Sequence, residues 1–159
     1  MSWGYYSGKL TDYTTDPIPF TAKPDIFNRA RASVIMIGLD GRSVFRLRVT
    51  GIRATGGTYG VHLHQNTCDA GNPGAAGPHY NVNWDSLNNK PAGEISKKTE
   101  VWLDLTVDSD GDARSTATVD FVPEGKRSIV LHADPTAEGT GGAGARLACL
   151  PFNIKVYGN

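Results

Sequence analysis

Ala32-Ser33-Val34-Ile35-Met36-Ile37-Gly38, the pair Asp40-Gly41, and Ser43-Val44-Phe45-Arg46-Leu47-Arg48-Val49-Thr50 read as two strands joined by a tight turn. An Asp-Gly pair accepts the positive φ angles that a two-residue hairpin demands. In the second strand Phe45, Leu47 and Val49 alternate with Val44, Arg46, Arg48 and Thr50, so one face is built for a core and the other for water. The same period of two recurs downstream. Residues 58–64 follow the Gly56-Gly57 break as a third strand. Residues 101–107, the Asp-rich turn 108–112 and residues 114–122 form a second expected hairpin. Ser128-Ile129-Val130-Leu131-His132, Arg146-Leu147-Ala148-Cys149-Leu150 and Phe152-Asn153-Ile154-Lys155-Val156-Tyr157 complete the set.

No window keeps apolar residues at i, i+3, i+4 and i+7 behind a capping residue, so seven to nine short strands and almost no helix are expected. The fold class is therefore all-β, an antiparallel sandwich or Greek-key barrel. Two segments break the rhythm, residues 65–100 and 133–145, and connections that long are usually functional.

Size and charge narrow the classes further. The chain has 159 residues, 39% hydrophobic and 20% charged, which suits one domain, residues 1–159, with a packed core. Its 19 Gly and 9 Pro place many turns between strands. Sixteen basic residues balance sixteen acidic ones, which argues against a nucleic-acid partner. The first 53 residues hold eight Lys or Arg against four Asp or Glu, a polarity read as ordinary surface. The longest apolar run, Val34 to Leu39, is too short to cross a bilayer, so membrane insertion is not expected. Residues 1–30, with Trp3, Tyr5 and Tyr6 and three prolines before Asp25, read as an extra strand, an interface, or a linker from a larger surface protein.

Two cysteines, Cys68 and Cys149, favour one disulfide closing a large loop over two unrelated thiols. A disulfide implies an oxidising place of work: extracellular, cell-surface or periplasmic, with any leader removed.

The chain has four histidines, and each borders a long loop or a strand end. His62 and His64 stand two apart on a strand, so both rings leave one face roughly 7 Å apart and can reach one ion. Alone, such a pair is as well read as two surface histidines. Joined by His79 and His132, three or four imidazoles suit copper or zinc, and the lack of clustered carboxylates disfavours calcium or magnesium. Two other motifs carry no site. Gly139-Thr140-Gly141-Gly142-Ala143-Gly144 matches a dinucleotide fingerprint but precedes a strand, not a helix. Asp108-Ser109-Asp110 resembles a calcium loop, yet Ala113 and Val119 stand where Gly and Glu are needed.

Five ordered blocks then carry a family likeness: Gly60-Val61-His62-Leu63-His64; Cys68; Gly77-Pro78-His79-Tyr80-Asn81; Ser128 to His132; and Gly144-Ala145-Arg146-Leu147-Ala148-Cys149. From about Ala32 onward the chain resembles the copper/zinc superoxide dismutases. The resemblance implies an eight-stranded antiparallel Greek-key barrel with two long functional loops. It implies that His62, His64 and His132 bind copper, that His79 holds the place of the histidine bridging copper and zinc, and that Cys68 pairs with Cys149. It further implies that Arg146 guides and holds superoxide, the small-anion substrate. The family's zinc site is not reproduced, because no histidine lies between His79 and His132, and Pro91-Ala92-Gly93-Glu94 stands where the family has His-x-Gly-Asp. These departures, with a shortened loop before Arg146, resemble the copper-only branch. One copper per chain and no zinc are expected, with Glu94 accepting the second ring N–H of His79. A non-catalytic copper-binding module of the same fold, or a three-histidine zinc hydrolase or hydratase, remain the alternative functions.

Overall fold

The computed structural model describes residues 1–13 and 26–158, and its described residues contain no α-helix. The prolines of the N-terminal region, in residues 14–25, lie outside them. Twelve strands follow in order: β1 (Ser2–Lys9), β2 (Thr11–Asp12), β3 (Arg31–Leu39), β4 (Arg42–Thr50), β5 (Thr58–Tyr59) and β6 (Val61–His64), then β7 (Trp84–Asp85), β8 (Lys90–Pro91), β9 (Leu105–Thr106), β10 (Ala113–Val119), β11 (Gly125–His132) and β12 (Arg146–Val156). One turn of 3-10 helix, Pro73–Ala76, interrupts the first long connection.

The main sheet runs β10-β4-β3-β1-β12-β11-β6, with β2 added on β12. Every ladder in it is antiparallel. Asp40 and Gly41 have φ of 52° and 76°, so the β3–β4 hairpin turns as the Asp-Gly pair predicts. Strand β4 buries Ser43, Phe45, Leu47 and Val49 and exposes the residues between them.

The second expected hairpin pairs differently. Residues 101–107 and β10 flank the turn at 108–112, but β9 pairs with β5, and β10 lies on the far edge of the sheet beside β4. Val101, Leu103, Leu105 and Val107 are buried, and Trp102 between them is buried too. Buried along the Val101, Leu103, Leu105 and Val107 face and, on the other face, at Trp102, this segment passes between the two sheet edges: it bonds to β6 through Leu63 N to Val101 O and Leu103 N to Val61 O, then leads into β10. The sheet so curls into a Greek-key β-barrel. Phe27, Met36, Phe45, Leu63, Ile129 and Phe152 fill its interior, and each such side chain contributes about 1.5–3 kcal/mol by leaving water.

Strand β1 sits at the centre of the sheet, hydrogen-bonded to β3 on one side and β12 on the other. Ser2–Lys9 of the N-terminal region forms this strand. Gly4 is required there: a Cβ on it would lie 2.7 Å from Phe152 Cζ and 3.2 Å from the Asn153 carbonyl oxygen.

Candidate metal centre

Directly opposite residues of a ladder share a face, and the register sets Val130 against both His62 and Cys149, and Ser128 against His64. The outer face of β6, β11 and β12 therefore carries His62, His64, His132 and Cys149. At the end of β11 the register slips by one residue, so that Leu131 pairs with Ala148 and His132 with Arg146. The connection 65–100 covers this face. A disulfide joins Cys68 to Cys149 with their Cα atoms 6.1 Å apart, and Tyr13, Ala76, Val130 and Cys149 form a small apolar cluster beneath.

The connection then returns along β6. Tyr80 N donates to Leu63 O (2.8 Å) and Gln65 N to Pro78 O (3.0 Å), which sets His79 opposite His64 in an antiparallel bridge. The four histidines of the sequence thus meet at one place, with one ring nitrogen from each within 4.8 Å of the others. Among the described residues no other three His, Cys, Asp or Glu side chains approach closely enough to hold an ion.

Each ring donates one N–H to an oxygen outside the cluster. His62 Nε2 donates to Thr136 Oγ1 (2.6 Å), whose hydroxyl donates to Asp104 Oδ1 (2.6 Å). His64 Nδ1 donates to Gly77 O (2.8 Å), and His132 Nδ1 to Gly144 O (3.1 Å). His79 Nδ1 donates to Glu100 Oε1 (2.9 Å). These bonds fix all four tautomers and leave one lone pair per ring for the centre. His62 Nδ1 is buried with no hydrogen-bond partner. His64 Nε2 and His132 Nε2 stand 3.3 Å apart with no proton left to lie between them. A buried lone pair without a donor, and two more facing each other, are costly alone and are satisfied together by a cation.

Burial first, then the neighbouring imidazoles, lower the pKa of His62 steeply. His64 is pushed well below its ordinary value, chiefly by burial. His132 falls to about 4, mainly through burial and partly opposed by its bond to Gly144 O. These rings are neutral at pH 7, as metal ligands must be. An all-imidazole set suits copper or zinc and not a hard oxygen-seeking ion.

The carboxylate on His79 is not the expected one. Glu94 is exposed and contributes only its main-chain carbonyl, to Asn81 Nδ2 and Thr99 Oγ1. Glu100 takes the place assigned to it. With its side chain 2% exposed, Glu100 accepts from His79 Nδ1, from Trp102 Nε1 (3.0 Å) and, on its other oxygen, from Asn81 Nδ2 (3.0 Å). Burial acts to raise its pKa, but these three donors outweigh it and the net shift is downward. Sequence reasoning missed Glu100, Trp102, Asn81, Thr136 and Asp104 as parts of the site. The pairings that bring them in, Asn81 with Glu100 and His62 with Trp102, are isolated bridges between distant segments; the one local signal is an acid abutting the apolar run 101–103.

Arg146 opens β12 beside His132. Its Nη1 donates to Pro73 O (2.8 Å) and its Nη2 to Gly77 O (2.7 Å), the carbonyl that also receives His64. Its positive charge contributes to lowering the pKa of both His64 and His132. Solvent reaches the cluster on the side of His79, whose side chain is 19% exposed, through a cleft of about 330 Å³ lined by His79, Glu100, Trp84, Ile95, Gly141 and Lys90.

Comparison with known proteins agrees with this geometry. No match was found among curated proteins. Among solved structures, the crystal structure of the clock protein EA4 is similar in fold, with a TM-score of 0.58 at 18% identity, covering 95% of this chain and 93% of that one. The family model described as copper/zinc superoxide dismutase matches residues 34–150, a stretch that includes all four histidines, both cysteines and Arg146. The chain belongs to the copper/zinc superoxide dismutase family.

Proposed function

We propose that this protein is a copper-dependent superoxide dismutase that works without zinc. The observation that carries the reading is the state of His79: its inner nitrogen faces the other three rings, and its outer nitrogen is held by the buried carboxylate of Glu100, which leaves it no lone pair for a second ion. One copper ion, held by His62, His64, His79 and His132, would supply one-electron chemistry between Cu(II) and Cu(I), so that one superoxide is oxidised to dioxygen and a second, with two protons, is reduced to hydrogen peroxide.

The chain's own groups do the rest. Glu100 keeps the proton of His79 on Nδ1 and so keeps Nε2 available to the metal. Thr136 and Asp104 do the same for His62, whose ligand is Nδ1. Arg146 places a permanent positive charge beside the cluster, and two of its five N–H groups remain tied to the loop carbonyls while the charge acts on an approaching anion. Lys90 adds a second cation at the cleft. A disulfide-bonded enzyme of this kind works outside the reducing cytosol.

Purified protein offered copper and zinc together, then assayed for metal content and for dismutation, tests the proposal. One equivalent of copper, no zinc and rapid turnover is the expected result. Stoichiometric zinc would point to a hydrolytic site, and stoichiometric copper without turnover to a non-catalytic copper module; either overturns it.

A further inference from the structure

Strand β1 is inverted with respect to an ordinary strand of a barrel wall. Its small residues Ser2 and Gly4 are buried, and Trp3 and Tyr5 stand on the outside. The ladder register shows what surrounds them. Tyr5 lies in one row with Ile35, Arg46 and Thr116, and Ser7 in the next with Ser33, Arg48 and Arg114. Lys9 pairs with Arg31, while Trp3 lies between Ile37 and Lys155. This outer face thus carries Lys9, Arg31, Arg46, Arg48, Arg114 and Lys155, and none of these rows contains an acidic residue. Carboxylates are met only at its margins, where Asp120 pairs with Arg42 and Asp112 precedes β10. In a chain of zero net charge, that segregation is a property of the face.

The face is also concave. A groove of about 530 Å³ is lined by Tyr5, Ile35, Arg46, Arg48, Arg114 and Thr116. It shares Tyr5 with a second hollow of about 270 Å³ lined by Trp3, Asn153, Lys155 and Tyr157, in which Trp3 stacks on Tyr157 with ring centroids 5.8 Å apart. Together they cross five strands, from β10 to β12, a span of about 19 Å at ordinary strand spacing.

We propose that this groove binds an extended acidic polysaccharide, whose carboxylate or sulfate groups pair with Arg46, Arg48, Arg114 and Lys155 while its sugar rings stack on Tyr5 and Trp3. Guanidinium groups recognise such anions bidentately, and exposed aromatic rings flanked by Ser, Thr and Asn offer a flat apolar platform with hydrogen-bonding neighbours. The other occupants fit less well. Peptides recognised by strand addition need a free edge, which on this face β10 alone offers; β1, β3, β4 and β12, which carry most of the groove, are interior strands whose backbone is paired on both sides. A second copy laid face to face would bring six uncompensated cations against six more. A membrane surface would engage the exposed Ile37, Leu39 and Val44, which lie on this face outside the groove, and not the guanidinium groups that line the hollow.

The test uses the full, copper-loaded chain in titration calorimetry with three octasaccharides: a heparin-derived one, an oligogalacturonate and a neutral cello-oligosaccharide. Saturable binding is expected to one or both acidic ligands and not to the neutral one. Binding to heparin alone assigns a sulfated polymer, and to the galacturonate alone a carboxylated one. Affinity should fall tenfold or more between about 50 and 200 mM salt, tenfold or more with Arg48→Ala/Arg114→Ala, and several-fold with Tyr5→Ala, all with dismutation unchanged. Failure of both acidic ligands, or binding indifferent to the Arg48/Arg114 double variant or to Tyr5→Ala, would overturn the proposal. So would retention on phosphatidylserine vesicles without oligosaccharide binding, or a dimer in sedimentation that Tyr5→Ala dissociates.

Discussion

Glu100 is a buried charge whose neighbours are all donors, and that composition decides what its replacement does. In Glu100→Gln the amide keeps one oxygen. If that oxygen faces His79 and Trp102, its NH2 group meets the NH2 of Asn81; if it faces Asn81, the amide meets the His79 N–H. Either way two donors confront each other around a side chain that is 2% exposed, at a cost of about 1–3 kcal/mol. The imidazole of His79 also loses the acceptor that fixes its tautomer, and a lost partner of that kind lowers metal affinity by about 10–100-fold. Competition titration with a copper chelator should show that drop for Glu100→Gln, with a parallel fall in turnover. Glu94→Gln should leave both values unchanged, because its side chain is exposed and only its carbonyl is used. Equal effects of the two substitutions would contradict the role given to Glu100.

Strands were legible where the pattern of large and small residues agreed with the pattern of inside and outside. β3 and β4 satisfy it on both sides of the Asp40-Gly41 turn, and their pairing follows from the sequence. For residues 101–107 the period was visible, but the partner was not: alternation marks which face turns inward and not which edge the strand joins, and the segment bonds to β5 and β6 instead of β10. Strand β1 hides for the opposite reason. Its interior positions are small because Phe152 fills the space beneath Gly4. Gly4→Ala inserts one carbon 2.7 Å from a ring that is 1% exposed, an overpacking that costs about 1–3 kcal/mol, or roughly 2–12 °C in Tm for a chain of this size. Gly8→Ala meets only the end of the Tyr6 side chain, at 3.2 Å, and should cost far less. Thermal unfolding of both variants separates them, and copper affinity should change in neither, since the metal site stands on β6 and β11. A Gly4→Ala protein as stable as its parent would mean that β1 is not clamped between β3 and β12.

At the scale of the molecule, a rigid barrel supplies three ligands and a loop supplies the fourth, so the site exists only while the loop is fastened down. The ligand histidines and the cysteine pair could be found in the sequence because each is a rare residue in an ordered block; the polar half of the fastening could not, because it runs through main-chain carbonyls, which have no signature in sequence. Cys68–Cys149 is the covalent part, closing a separation of 81 residues. Arg146 is the polar part, holding Pro73 O and Gly77 O, and Gly77 O in turn holds the ring of His64. Removing the disulfide returns to the unfolded chain a loop entropy equivalent to about 4 kcal/mol. It also frees the segment that carries His79. For Cys68→Ala/Cys149→Ala we therefore expect, in urea denaturation of the metal-free protein, a loss of about 2–5 kcal/mol, while far-UV dichroism keeps its β-sheet form. Copper binds the folded state preferentially and should restore part of that loss by mass action, but at higher copper concentrations than the parent requires, because ordering the loop is now charged against binding. A double variant that loses stability and yet binds copper as tightly as the parent would show that the four rings gather without the clasp, and that the barrel alone holds the site.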